Sequence, residues 1–438
     1  MNAWVSLNLK SRLVSLPAEY YRLVTNSGKT GYHITGRCIV SVLRKSALLI
    51  AVIVTAVIAP SPASATVLPP QLDPFYAAPS PMPAGPPGTV IRSRPVVAQA
   101  LPFLPVPVRA TQVIYKSTLL TGEDVAVSGI VLEPLSAWGS GARPLVSYTT
   151  GTAGIAPFCA TSYQLANGIE YETAIFSLAL LKGWGVAITD FIGRGVGPGP
   201  QHYIVGPEAG HATIDMARAA QRLGAGSISA SSKVGFWGYS EGGHAAAWSA
   251  ELAGTYAPEL DVAGTAAGGV PGDINGVAKN LDGSAFSGIM MLAAVGASGS
   301  YDVPFEEILN DTGRAAVALA KNSCVELTSG FLPFRHMSDF VNGPDPLTLP
   351  SWKSALSAMS TGHYKPAAPI YMYHGTFDEL IPFSNARALK DKYCSMGARV
   401  TWRPMYFVAH IGGVPVGAPG AVSFLNDRFN GRTAANSC

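Results

Sequence analysis

Short apolar runs recur along the chain, and most alternate with stretches that repeat at helical spacing. Val113–Tyr115 and Val125–Leu132 read as paired strands, and Pro144–Tyr148 as the next. Glu172–Lys182 follows with apolar residues at Ala174, Ile175, Leu178 and Leu181, the spacing of one helical face. Gly185–Thr189 is again a strand. His211–Leu223 is a helix, with Ile214, Met216, Ala217 and Ala220 among its apolar positions. Lys233–Gly238 is a strand and Gly242–Leu252 a small-residue helix. Val262–Val270, Pro369–Tyr373 and Val400–Phe407 complete the strands, with a helix over Asn385–Cys394. Strands alternating with helices predict an α/β fold with a mostly parallel sheet.

Two intervals break the alternation. About a hundred residues separate Val270 from Ile370, far more than a parallel crossover needs. They hold helical stretches (Phe305–Leu309, Arg314–Lys321, Trp352–Ala358) and an apolar run, Ile289–Val295, and they predict an inserted helical cap. Residues 60–107 contain 14 of the 34 prolines, which bars helix and central strand and leaves an extended, wrapped or disordered arm. The expected organisation is a leader over 1–65, the Pro-rich arm over 66–107, the core over 108–270 and 368–438, and the cap or lid over 271–367.

Charge and composition sharpen this. Arg44 and Lys45 precede the apolar run Ala47–Ala59, which leads to Ala63-Ser64-Ala65. That order is a secretory signal with cleavage near Ala65, and the run is short for a membrane span. Residues 1–65 hold seven of the 30 Lys/Arg and one of the 27 Asp/Glu, so the remainder is slightly acidic. It has no overall attraction for nucleic acid phosphates. An exported chain favours disulfides among Cys159, Cys324, Cys394 and Cys438, which lack zinc-site spacing. Pairing Cys394 with Cys438 would fasten the tail and leave Cys159 to join Cys324.

The chemistry centres on Gly238-Tyr239-Ser240-Glu241-Gly242. This G-x-S-x-G lies between a strand and a helix, the setting in which a tight turn projects a serine hydroxyl outward. The glycines are required because the turn crowds its neighbours. A serine nucleophile needs a base oriented by a carboxylate. The expected chain order puts the acid after a late strand and the histidine after the last one, which selects Asp378 and His410. Glu379 is the rival acid, and His374 is expected to support the acid loop. Backbone N–H groups of Glu241 and Thr152 are the candidate oxyanion donors. The Gly-rich stretches at Gly151–Gly154 and Gly193–Gly197 fit neither a P-loop nor a dinucleotide fingerprint.

Taken together, the elbow with Gly243, the Thr150–Gly154 loop followed by Cys159, the Asp190–Gly193 segment leading to Gly210–Asp215, and the loop from His374-Gly375 through Asp378 to Pro382 resemble the secretory lipase family. This is the lipase A-like group of α/β-hydrolases. The resemblance runs from about Thr111 to the C-terminus. It implies a Ser240–Asp378–His410 triad, a lid, and the pairs Cys159–Cys324 and Cys394–Cys438. The chain departs from the His-Gly-Thr-Thr-Gly of many bacterial relatives, having Thr150-Gly151-Thr152-Ala153-Gly154. The expected activity is carboxylic ester hydrolysis on a lipid or small ester, in solution or at a lipid–water interface. It needs no metal or organic cofactor, no nucleic acid partner and no stable membrane span after signal removal. The alternatives are an amide-directed peptidase and a non-catalytic surface-binding protein.

Overall fold

Leu145–Thr149, Gly185–Thr189, Val234–Tyr239 and Ile370–Gly375 are buried along their whole length. Strands of that kind are covered on both faces. The computed structural model describes residues 67–438 apart from 198, 200 and 225. The expected leader, its cleavage site near Ala65 and Cys38 lie outside the described residues.

In chain order the strands are β1 Val90–Val96, β2 Gln99–Leu101, β3 Leu104–Pro105, β4 Val108–Thr118, β5 Asp124–Pro134, β6 Leu145–Thr149, β7 Gly185–Thr189, β8 Val234–Tyr239, β9 Val262–Gly268, β10 Ile370–Gly375 and β11 Val400–Met405. Nine of them form one sheet in the order β1-β4-β5-β7-β6-β8-β9-β10-β11. From β7 to β11 the neighbours are parallel; β1, β4 and β5 run antiparallel at one side. The chain leaves β6 for β7 on one flank and returns to β8 on the other. That reversal opens a crevice beyond the carboxyl ends of β6 and β8, where open α/β sheets bind ligands. The fold is that of an α/β-hydrolase.

Each face of the sheet carries its own core. Helices Gly206–Leu223, Glu241–Tyr256 and Phe383–Ser395 bury Ile214, Met216, Ala246, Ala250 and Tyr393 against one face. Helices Thr161–Asn167, Thr173–Leu181 and His410–Phe429 bury Leu165, Phe176, Val422 and Leu425 against the other. Between β9 and β10 the helices Ile274–Leu281, Gly288–Ser300, Asp311–Lys321, Val325–Phe331 and Pro350–Met359 enclose a third core around Met291, Leu292 and Trp352. Cys159–Cys324 ties this insertion to the loop beyond β6, and Cys394–Cys438 holds the tail to the helix before β11.

One expectation needs correction. Phe305–Leu309 is not a helix: it makes turns after Pro304, and Leu309 bridges to Val341. His410 opens a twenty-residue helix, His410–Phe429, which contains Pro415 and Pro419 and has no counterpart among the sequence expectations. The Pro-rich stretch supplies β1, whose Pro95 sits where a missing N–H is tolerated, on the outermost strand. The stretch is anchored by Asp73, which accepts from Arg94 at 2.6 Å, and by buried Tyr76, whose hydroxyl meets Ser162 Oγ at 2.9 Å. Among the described residues no helix is long and apolar enough to cross a membrane.

Candidate active site

The elbow between β8 and the helix Glu241–Tyr256 is built by steric exclusion. Ser240 has φ 60° and ψ −121°, a strained backbone for a side-chain-bearing residue. A Cβ at Gly238 would lie 2.3 Å from Thr149 Oγ1, and one at Gly242 would lie 1.9 Å from Thr149 O. Neither position can hold another residue without prying β6 from the turn. Thr149 Oγ1 also donates to Gly242 O at 2.7 Å, clamping the loop after β6 to the elbow.

Ser240, Asp378 and His410 converge. His410 Nδ1 lies 2.7 Å from Asp378 Oδ2, and His410 Nε2 lies 2.9 Å from Ser240 Oγ. With Nδ1–H donating to the carboxylate, Nε2 is left to accept from the hydroxyl. Asp378 is buried, which by itself disfavours its charge. Hydrogen bonds from His374 and His410 outweigh that, and the carboxyl is held well below the usual range. Its other oxygen accepts from the N–H groups of Leu380 and Ile381 at 3.1 and 2.8 Å. His374 Nε2 sits 2.8 Å from Ile381 O and 3.2 Å from Asp378 Oδ2, so it braces the acid loop. The rival Glu379 instead accepts the His410 backbone N–H at 2.9 Å, holding that residue from behind. Other histidines stay away: His244 is buried against Met359 O, and His336 pairs with Asp282 at the surface.

Glu241 N–H is the first of its helix and has no intrahelical acceptor. Among the described residues the Thr152 N–H also finds none. The Thr152 hydroxyl is 2.7 Å from Tyr203 Oη, and Gly151 N–H donates to Glu172 Oε1 at 3.0 Å. Tyr203 and Glu172 were not singled out in the sequence; nothing in their spacing marks them, because three separate segments bring them to the loop. Arg194, read first as part of a Gly-rich loop, forms a buried ion pair with Glu241. Burial pushes the Glu241 carboxyl up to about 7 against the pull of that guanidinium. The Asp190–Asp215 block proves to be internal scaffolding: Asp190 accepts from Ser128 and Ser162, and Asp215 from Ser117 and Tyr256.

Beside Ser240 and His410 opens a cavity of about 390 Å³, lined mainly by the insertion. Ile274, Val277, Ile289, Met290, Ala293 and Leu356 furnish apolar walls. The helix Gly288–Ser300 thus presents part of the apolar run noted in the sequence to this space. Among the described residues no cluster of side chains could hold a metal ion.

A strand-order reversal, a strained serine and an aligned Ser–His–Asp constellation define a hydrolase-type site on an α/β-hydrolase scaffold. The family profile described as secretory lipase matches residues 161–437. A protein of Mycobacterium tuberculosis, named a probable inactive lipase, is 32% identical over 377 residues, covering 83% of each chain. A secreted triacylglycerol lipase of Malassezia furfur is 31% identical over 300 residues, 63% of this chain and 75% of that one. The closed-state crystal structure of Candida antarctica lipase A superposes with a TM-score of 0.75 at 25% identity, covering 85% of this chain and 89% of that one. The chain belongs to the secretory lipase family.

Proposed function

We propose that this protein is a secreted serine hydrolase that cleaves carboxylic esters with an apolar acyl group, in the manner of a triacylglycerol lipase or esterase. The observation that carries the reading is the unbroken hydrogen-bonded line Ser240–His410–Asp378 at the mouth of an apolar cavity. His410 takes the hydroxyl proton as Ser240 attacks the ester carbonyl. Asp378, kept ionised, holds the imidazole tautomer and stabilises the imidazolium. The N–H groups of Glu241 and Thr152 receive the oxyanion. His410 then protonates the leaving alcohol, and water resolves the acyl-enzyme by the same route. The acyl chain lies among Ile289, Met290 and Ala293, and residues 271–367 serve as the lid.

The test is a rate series over acyl esters from C2 to C18, with Ser240→Ala beside the unmodified enzyme and fluorophosphonate labelling of both. The expected result is Ser240-dependent turnover and labelling, with a loss of several orders of magnitude in the variant. A second reading, a non-catalytic protein on the same scaffold, is favoured by the name of the M. tuberculosis relative. Absence of labelling at Ser240 in folded protein would favour it over the first.

A further inference from the structure

Behind the loop that follows β6 lies a carboxyl group for which the triad chemistry has no use. Glu172 is only 2% exposed, and among the described residues no cation pairs with it. Buried carboxyls are normally paired with a cation or kept neutral, so an unpaired one calls for a reason. Its Oε1 accepts the Gly151 N–H at 3.0 Å, and its Oε2 accepts the Tyr148 hydroxyl at 2.6 Å. Tyr148 stands near the end of β6, Gly151 in the loop that leaves it, and Glu172 just before the helix Thr173–Leu181. One side chain therefore joins strand, loop and helix. The contact is tight: a Cβ on Gly151 would lie 2.9 Å from Glu172 Oε1. Burial pushes the Glu172 carboxyl up to about 7, while the bonds from Tyr148 and Gly151 draw it down.

Gly151 precedes Thr152, and the Thr152 hydroxyl is fixed by Tyr203 at 2.7 Å. The peptide plane between them carries the Thr152 N–H. It is rigid in itself and can turn only about the dihedrals on either side. With the Gly151 N–H anchored on one flank and the Thr152 hydroxyl on the other, the turning of that plane is restricted.

We propose that Glu172 is a positioning residue for ester hydrolysis, holding Gly151 so that the Thr152 N–H points to the oxyanion that forms above Ser240. The proposal rests on the hydrolase reading given above. Glu172 borders the cavity but touches no reacting atom, so its removal should weaken the hold on tetrahedral species more than the hold on bound ester.

The experiment uses the full secreted protein with Glu172→Gln, Glu172→Met and Glu172→Ala, each normalised by titration of labelled Ser240. Readouts are kcat and KM on a soluble p-nitrophenyl ester, the inhibition constant of an alkylboronic acid that forms a tetrahedral adduct on serine, and Tm. In Glu172→Met, which keeps the volume and loses the acceptors, kcat should fall about 10- to 100-fold with KM nearly unchanged, less than or equal to deletion of one oxyanion donor. Boronate affinity should weaken in parallel. Glu172→Gln, whose amide oxygen still accepts from Gly151, should recover most of kcat. A Glu172→Met enzyme with normal kcat per titrated site, or with a lowered Tm alone, overturns the proposal, and this reading survives a failure of Glu172→Ala to fold. If the unmodified enzyme shows no Ser240-dependent turnover, the hydrolase reading itself has failed and the proposal falls with it.

Discussion

The helix His410–Phe429 begins with the candidate catalytic histidine, and its seat on the sheet sets where that imidazole stands. Three glycines make the seat. A Cβ on Gly413 would lie 2.0 Å from Tyr239 Oη, one on Gly417 2.2 Å from the Tyr373 ring, and one on Gly420 2.4 Å from Tyr371 Oη. Consider Gly417→Ala. Tyr373 cannot give way: it is buried, accepts from Trp237 Nε1 at 3.1 Å, and stacks on Tyr371 with ring centroids 5.4 Å apart. The helix must retreat instead, by about 1 Å to regain ordinary contact, and overpacking of that kind costs roughly 1–3 kcal/mol. Carried to His410, a shift of about 1 Å lowers turnover by about a hundredfold. The control is Gly412→Ala in the same helix, where the nearest atom to the new Cβ is Val408 Cγ1 at 3.4 Å. There the gain in helix propensity is about 0.5–1 kcal/mol. Urea unfolding midpoints and kcat on a soluble ester, measured for both variants, decide the matter. Equal stability and activity in Gly417→Ala and the unmodified protein would refute the close packing, as would equal damage in the two variants.

Replacing Cys159 and Cys324 by serine should lower stability by about 2–5 kcal/mol, seen in denaturant unfolding, and should speed proteolytic cleavage between residues 271 and 367. Cleavage at an unchanged rate would show that the backbone bond from Val325 N–H to Ala153 O, at 3.0 Å, holds the insertion without the bridge. Stability should fall from pH 6.5 to 8. Burial pushes Glu170 up to about 8 and Glu172 and Glu241 to about 7, so the folded chain binds protons there that the unfolded chain has shed. His244, lowered to about 4 by burial, acts in the opposite sense below pH 6.5. Glu170→Gln should flatten the decline in Tm, and a Tm that rises over this interval in the unmodified protein contradicts the account. Ala293→Phe, which fills the cavity wall, should leave C2–C4 esters untouched and abolish the gain of about fourfold in kcat/KM per methylene on longer chains.

The elbow was legible because its physics is local. A strand, a G-x-S-x-G and a small-residue helix stand next to one another in sequence, and crowding at the turn dictates the glycines. Asp378 and His410 could be placed by strand order, since each follows a late strand directly. The terminal helix was hidden for the reason that makes it work. Glycine and proline are poor helix formers, yet here they sort by face: Pro415 and Pro419 are exposed, while Gly413 and Gly417 are buried against the sheet tyrosines. Carbonyls left without donors by the prolines can turn to water, and the absent side chains admit the rings. Only the tertiary partner explains such a composition. Glu172 and Tyr203 were illegible because their partners lie 21 and 51 residues away in sequence, with no repeat or motif joining them.

Several departures from ordinary local preference lie at one end of the sheet. Ser240 and Ile204 hold positive φ beside the cavity, and Phe407 does so in the turn that leads to His410. Glu172 and Glu241 are buried carboxyls in the same wall, one of them without a cation. Each of these opposes folding, by strain or by desolvation. They persist because the surrounding parts are over-determined: the β6–β8 clamp through Thr149, the glycine-seated helix, and the bridge from Cys159 to Cys324. A chain selected for stability alone would relax these residues one by one, since a glycine at position 240 or a methionine at 172 is locally easier to accommodate. That these surround one hydroxyl, one imidazole and the Thr152 N–H is the pattern expected where preorganisation for a developing negative charge takes precedence over local comfort.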